Sequence, residues 1–512
     1  MLIANRGEIA VRIIRTCREL GVESVAVYSD ADADALHVRL ADRSVRLGPA
    51  AASESYLRGD LIVDAARRTG AQAVHPGYGF LSEQASFGES VEAAGLVFVG
   101  PAPQTLASLG DKIEARRSAQ AAGVPIVPGM FEALRADDAS AIGQIEALAT
   151  DIGFPILIKA AAGGGGRGMR RVDRREGLPA AIAAAAHEAR QAFGDGSVYL
   201  ERLVEGGRHI EVQLLGDSQG RIVALGERDC STQRRHQKLV EEAPAPGLST
   251  AQRQHLHGLA VTVAASVGLR NAATAEFLYA ADGSFYFLEV NARLQVEHGV
   301  TELVTGLDLV KEQLSIAAGA PLSAAVIAAA ERAATPDGHA IELRISAEDP
   351  ARAFAPTPGM VTRWREPGGP GVRNDSGIEE GWRVSGDYDP LLAKVLVIDA
   401  DRGAALARAR RAVAEFETGG VQTTLPFHLW LLSHPAFVQG ALRTDMVERD
   451  WRPETIRLEA ARVAVEAVAR AVWTDETRPA EPSGRVSGTP EWPSANGSAW
   501  QDAGRRQATE RW

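Results

Sequence analysis

The stretch PILIKAAAGGGGRGMR ends an apolar run on Lys159 and follows it with Gly163, Gly164, Gly165, Gly166 and Gly168. Consecutive glycines let backbone N–H groups converge on phosphate oxygens, and a lysine at a strand end adds a point charge to the same target. Composition alone reads the glycines equally well as a solvated loop. The apolar strand and its terminal lysine turn the reading towards a nucleotide. No G-K-[ST] follows, so this is not a Walker A loop.

A second stretch, ATAEFLYAADGSFYFLEVNARLQVEH, places Asp282-Gly283 between two alternating apolar runs. Such a dipeptide predicts a hairpin with a two-residue loop. Cross-strand partners then put Glu276 opposite Glu289. Two facing carboxylates on apolar strands repel and are costly to bury. A divalent cation resolves the conflict, and hard Mg²⁺ prefers oxygen ligands together with substrate phosphates. Without a cation the pair is expected to repel, so removing one charge should slightly stabilise the apo protein. Period-two geometry adds Asn291 and Arg293 to the face of Glu289. The alternative is a surface hairpin with one polar face.

Two further stretches are less specific. GERDCSTQRRHQKLVEEAPAP packs Arg228, Arg234, Arg235, His236 and Lys238 into eleven residues of an acidic chain. That pattern is either a solvated charge run or an anion-binding loop, and the residues alone do not choose. HPGYGFLSE, from His75 to Glu83, reads first as a rigid structural turn. His75, His209 and His298 show no spacing that pairs them as zinc ligands.

The elements that must position these groups follow from periodicity. Up to about Pro103, short apolar runs (LIAN, SVAVYSD, AQAVHP, LVFVG) alternate with helical patterns such as EIAVRIIRTCREL, which predicts a parallel α/β sheet. Its first strand–helix turn carries Gly7 without G-x-G-x-x-G, so no dinucleotide site is read there. Residues 110–322 are mixed α+β. Residues 338–445 mix strands with Gly/Pro turns. A helix is expected after Trp451, then a Pro/Ser/Gly-rich linker over about 477–496. The chain opens almost directly on a strand, which points to a start a few residues upstream.

The 512 residues predict about three domains. A net charge of −11 argues against broad nucleic-acid or anionic-membrane binding. No apolar run reaches membrane-spanning length and no signal peptide is evident. Two cysteines, Cys17 and Cys230, supply no disulfide framework and suit a reducing cytosol, so a cytoplasmic protein is expected.

Together the segments IANRGEIA, HPGYGFLSE, GDK, KAAAGGGGRGM, ERDCSTQRRHQK, EEAPAP, EFL, LEVNARLQVEH, TGLDLVKEQL and RISAEDP resemble the biotin carboxylase family of ATP-grasp enzymes, in the family's order over about residues 1–445. The resemblance implies a multidomain α/β and α+β fold. It would comprise a Rossmann-like domain at 1–105, an ATP-grasp domain at 106–325 with a glycine-rich lid at about 130–203, a C-terminal domain at 336–445, and a helix plus tail at 446–512.

By motif matching the resemblance also implies roles. Lys112 and Lys159 match phosphate-contacting lysines, and Gly165 and Gly166 the lid backbone over the phosphates. Glu201, Arg202, Leu203 and Val204 match the adenine hinge, while His209, Gln233 and His236 complete the nucleotide pocket. Glu276, Glu289 and Asn291 match the ligands of Mg²⁺ or Mn²⁺. Lys238, Arg293, Gln295 and the Val296 backbone match the bicarbonate site. Glu297 matches the base, Arg344 the residue that meets biotin, and Tyr78 lines the biotin pocket. Arg15, Glu19 and Arg373 match a dimer contact in which Pro370 replaces an apolar aromatic, which leaves a homodimer open.

The activity implied is ATP-dependent carboxylation of biotin by bicarbonate through carboxyphosphate, the first half-reaction of an acyl-CoA carboxylase. ATP, a divalent cation, bicarbonate and biotin are the implied cofactors and substrates. A biotin carboxyl carrier and carboxyltransferase subunits are the implied partners. The chain has no Met-Lys-Met tripeptide and no lysine after Lys394, so it is expected to act on a carrier in trans. The rivals are another ATP-grasp ligase of the carbamoyl-phosphate type and a non-catalytic ATP-binding subunit.

Overall fold

The structure, a computed structural model, describes residues 1–135, 139–161 and 169–454, and the strands are numbered here in chain order. The first apolar runs form a five-stranded parallel sheet from β1 (Leu2–Ile3), β2 (Val25–Ser29), β3 (Arg43–Gly48), β4 (Ala73–His75) and β5 (Val97–Phe98), in the order β3-β2-β1-β4-β5. Parallel strands covered on both faces read as unbroken apolar runs, and Leu2, Ile3, Ala26 and Val27 are fully buried. Helix Gly7–Glu19 lays Ile9, Ile13 and Cys17 into the core at helical spacing. Helix Ala85–Ala93 and helix Lys112–Ala121 follow, the latter N-capped by Asp111, which accepts from the Ile113 and Glu114 amides. The cap places Lys112 in the first helical turn.

A small antiparallel sheet, ordered β6-β9-β7-β8, contains β6 (Leu134–Arg135), β7 (Ile156–Ala160), β8 (Arg170–Val172) and β9 (Ser197–Arg202). Lys159 sits on β7 as expected. The glycines Gly163–Gly166 and Gly168 lie outside the described residues, as do the residues from 455 on of the helix expected after Trp451 and the linker expected at about 477–496.

The largest sheet has eight strands. They are β10 (Arg208–Gly216), β11 (Ile222–Arg234), β12 (Gln237–Ala243), β13 (Asn271–Tyr279), β14 (Phe285–Asn291), β15 (His339–Ser346) and the strands Val372–Ser376 and Leu391–Asp399. Their order is β14-β13-β10-β11-β12-β15, then Leu391–Asp399, then Val372–Ser376. Because β12 pairs with β15 through Val240↔Leu343 and Glu241↔Glu342, strands from both sides of the division expected at 325–336 belong to one sheet. Among the described residues no helix is long and apolar enough to cross a membrane.

The β13–β14 hairpin corrects one expectation while keeping its consequence. The loop holds three residues, not two. Ala280 accepts from Gly283 N, which has φ +86°, and Ala280 N donates to the Ser284 carbonyl. That turn pairs Tyr279 with Phe285 and Phe277 with Phe287, one residue out of the anticipated register. A bulge at Leu288 then restores it, so Glu276 does face Glu289 and Thr274 faces Asn291.

Candidate active site

One cross-strand row carries most of the charge. Glu289 on β14 pairs with Glu276 on β13, Glu276 with Glu211 on β10, and Glu211 with Arg228 on β11. Three carboxylates on adjacent strands repel unless cations and donors meet them. Lys238 supplies most of the answer, donating to Glu211 Oε2 at 2.6 Å, Glu297 Oε1 at 2.5 Å and Glu276 Oε1 at 3.1 Å. Glu276 Oε1 also accepts from Asn291 Nδ2 at 2.9 Å and Gln295 Nε2 at 3.0 Å, while His209 Nε2 lies 3.1 Å from Oε2. Burial alone would push the Glu276 carboxyl up, but Lys238 and His209 outweigh it and hold it well below the usual carboxylate range. The expected apo repulsion between Glu276 and Glu289 is therefore relieved by the protein's own groups.

Glu297 is the centre of the second half. Its Oε2 accepts from Arg344 Nη2 at 2.9 Å, and Arg344 also donates to Glu241 through Nε at 2.7 Å. Burial opposes the charge on Glu297, yet Lys238, Arg344 and Arg228 together keep it far below the carboxylate range. Arg344 is fixed from behind, since its carbonyl accepts from Thr424 Oγ1 and His428 Nε2. Arg293 Nε donates to Glu83 Oε2 at 2.9 Å and its Nη2 to Asn291 Oδ1 at 3.0 Å. HPGYGFLSE thus does two things. His75 Nδ1 accepts from Gly77 N and burial keeps the ring neutral, with its pKa near 4, while Glu83 reaches the site. Tyr78 is close-paired through its hydroxyl with Glu8.

The other expected nucleotide groups form their own cluster. Lys112 Nζ lies 2.8 Å from Glu289 Oε2, and Lys159 and Arg116 both pair closely with Glu201. The expected hinge is partly committed to the fold, because Arg202 N and Leu203 N donate to the carbonyls of Pro128 and Pro155. Gln233 is buried on β11 and pairs across the strands with Lys238, and Arg235-His236 forms the tight turn after it, at φ +47° and +65°. The basic run is therefore a hairpin that sends Arg228 and Lys238 inward. Gly165 and Gly166 lie outside the described residues, and Val204 follows the last residue of β9 by two. Arg373, matched to a dimer contact, here donates to Glu302 and Asp375 of its own chain.

Sequence reading missed Glu211, Arg228's part in the site, and Glu241. Arg228 is wholly buried and donates to Glu211, Gln213, Thr301, Thr274 and Gln295. The alternation in R-H-I-E-V-Q was a usable signal, since His209 and Glu211 are two apart on one strand and share a face. Ligand atoms of His209, Glu211 and Glu276 lie within 4.8 Å of one another. Glu276 also faces Glu289 across the hairpin, and carboxylate oxygens set together in this way suit a hard divalent ion.

Comparison with known proteins agrees with this geometry. Residues 1–106 match the family model "Biotin carboxylase, N-terminal domain" and residues 111–325 match "Carbamoyl-phosphate synthase L chain, ATP binding domain". Residues 342–449 match "Biotin carboxylase C-terminal domain". The chain is 47% identical over 449 residues to Biotin carboxylase 1 of Bacillus subtilis, covering 88% of this chain and 98% of that protein. A crystal structure of a Campylobacter jejuni biotin carboxylase complex superposes with TM-score 0.83 at 43% identity, covering 88% and 98% of the two chains. The biotin carboxylase domain dimer of Hydrogenobacter thermophilus 2-oxoglutarate carboxylase, solved with MgADP, ADP and bicarbonate, gives 0.82 at 42% identity, covering 88% and 96%. Three consecutive family models and relatives matched over nearly their whole length leave one conclusion: the chain belongs to the biotin carboxylase family.

Proposed function

We infer that this chain uses ATP and bicarbonate to carboxylate biotin borne on a carrier domain, through carboxyphosphate. The observation that carries the reading is the single connected net in which Lys238 spans Glu211, Glu276 and Glu297 while Arg344 holds the other oxygen of Glu297. A carboxylate base, a lysine and an arginine converge beside a carboxylate row suited to a nucleotide's cation.

Lys112 and Lys159 bind and orient the phosphates, exchanging their present carboxylate partners for phosphate oxygens. Glu276, Glu289 and the Asn291 oxygen would hold a magnesium ion, which would neutralise phosphate charge. Lys238, Arg293, Gln295 and the Val296 backbone hold bicarbonate. Glu297 takes its proton, and the arrangement explains how so depressed a carboxylate becomes basic. When the anion draws Lys238 towards itself, the charge that weakens Glu297 as a base is shared with the substrate. The deprotonated bicarbonate attacks the γ-phosphate and displaces ADP, and the carboxyphosphate formed splits to carbon dioxide and phosphate. That phosphate takes the ureido N–H proton of biotin, and Arg344 stabilises the enolate-like oxygen as the ring nitrogen attacks carbon dioxide. Tyr78 borders that ring's pocket.

The test is phosphate release measured with and without bicarbonate and free biotin, together with trapping of carboxybiotin. ATP cleavage that needs bicarbonate, with carboxybiotin formed on adding biotin, is expected. Cleavage indifferent to bicarbonate overturns the reading.

A further inference from the structure

Lys394 is wholly buried and lies on the strand Leu391–Asp399, directly opposite Arg344 on one side and Asp375 on the other. Cross-strand partners project from the same face. This pair reaches one short segment of chain at successive residues: Arg344 holds the Glu297 carboxylate, and Lys394 Nζ donates to the Val296 carbonyl at 2.6 Å. Lys394 also lies against three buried carboxylates at once, with Glu8 Oε1 at 3.6 Å, Asp375 Oδ2 at 3.7 Å and Glu342 Oε2 at 3.9 Å. Asp375 is held in a two-pronged pair by Arg373, and Glu8 by the Tyr78 hydroxyl. Neither oxygen of Glu342 has a hydrogen-bond partner. The helix that follows this segment, His298–Thr305, approaches the same strand closely, since a Cβ at Gly299 would stand 2.3 Å from Leu396.

We propose that Lys394 is a positioning residue for the bicarbonate half-site: it pins the Val296 carbonyl to the sheet, so that the Val296 backbone and the Glu297 carboxylate face the substrate, and through Glu8 it ties that segment to the first helix, Gly7–Glu19. A lysine whose role were stability alone would need only the carboxylates. The direct bond to the backbone between Gln295 and Glu297 gives it a lever on the chemistry, where a shift of ~1 Å costs ~10²-fold in rate. The inference rests on the reading of Glu297 as the base.

The experiment is Lys394→Met in the full chain, assayed for bicarbonate-dependent ATP cleavage below the variant's own melting temperature. The expected result is a kcat lowered about tenfold or more and a raised KM for bicarbonate, with the Kd for ATP changed by less than about threefold. Should that variant fail to fold, Lys394→Met combined with Glu342→Gln removes one charge of each sign and is expected to show the same kinetic defect. A lowered melting temperature with wild-type kcat and wild-type KM for bicarbonate, in either variant, overturns the proposal. Failure of the functional reading shows elsewhere. It appears as wild-type cleavage that ignores bicarbonate, or as Glu297→Gln that keeps bicarbonate-dependent cleavage, and in both cases the role of Lys394 falls with it.

Discussion

The Lys112–Glu289 pair and the Glu297 cluster, the groups proposed to meet nucleotide and bicarbonate, are both built around a basic side chain and a glutamate, yet they are held in opposite ways. At the nucleotide end Lys112 meets Glu289 in a single pair whose side chains are 31% and 32% exposed. At the bicarbonate end Glu297 is 2% exposed, and each of its oxygens is taken by a different cation, Lys238 and Arg344. A partly exposed pair contributes ~0–1 kcal/mol, so it yields readily to a phosphate. Breaking a buried pair by removing one partner costs ~3–5 kcal/mol, so the second cluster keeps its geometry while substrates come and go. Glu276 lies between, reaching Lys238 on one side and facing Glu289 on the other. On the proposed reading, the Lys112–Glu289 pair is suited to exchange and the Glu297 cluster to preorganisation.

The sharpest way to break this contrast is Glu297→Gln. It should keep ATP affinity and lose bicarbonate-dependent cleavage by ~10²–10⁴-fold, the usual range for a general base. Equal loss of ATP binding would show that the two ends are one unit. Arg344→Ala is expected to reduce carboxybiotin formation by ~10²–10³-fold, as for loss of one preorganised oxyanion donor, while bicarbonate-dependent ATP cleavage survives in part. Measuring the two products side by side separates those steps.

At the exchanging end, Glu289→Gln should lower turnover by over about tenfold at fixed Mg²⁺, with partial recovery as Mg²⁺ is raised. A Mg²⁺ titration superimposable on wild type would remove Glu289 from the metal site. Glu276→Gln should lose as much turnover and should also lower the melting temperature of the ligand-free protein. It would leave Lys238 and His209 short of a buried partner.

The smallest effect comes from a carboxylate next to the site but outside it. Burial pushes Glu242 up, but hydrogen bonds from His339 and Arg402 hold it below its ordinary 4.5. A depressed carboxyl stabilises the fold fully above that ordinary value, and the contribution disappears as pH falls through the depressed one. Arg402→Met brings the folded pKa back up, so acid unfolding followed by circular dichroism should begin at a higher pH. An unchanged midpoint would show that His339 alone holds the charge.

Much of this was legible beforehand because local chemistry and period-two geometry suffice for it. The strand that carries Lys159 next to its end, the facing of Glu276 and Glu289, and the strands LIAN and SVAVYSD each depend on near neighbours in the chain. The Glu276–Glu289 register is instructive because the turn was misjudged by one residue and the bulge at Leu288 cancelled the error. A bulge leaves little trace in composition, since any apolar residue can occupy it. Glu211 was overlooked for a different reason. On β10 it is one acidic residue in an apolar strand, and its importance appears only when β11 and β13 flank it with Arg228 and Glu276.

By itself, the sequence determined the order of the elements, the parallel opening sheet, the residue types available for phosphate, cation and base chemistry, and the family to which they belong. The tertiary structure alone decided which charges neutralise which. Lys238 meets Glu297 across 59 positions, Arg228 meets Glu211 across 17, and Arg344 and Lys394 become neighbours only because β15 pairs with Leu391–Asp399. Strand order and register are set by the burial of whole faces, a property of the assembled sheet. Charge pairing inherits that register, so it cannot be read from spacing along the chain.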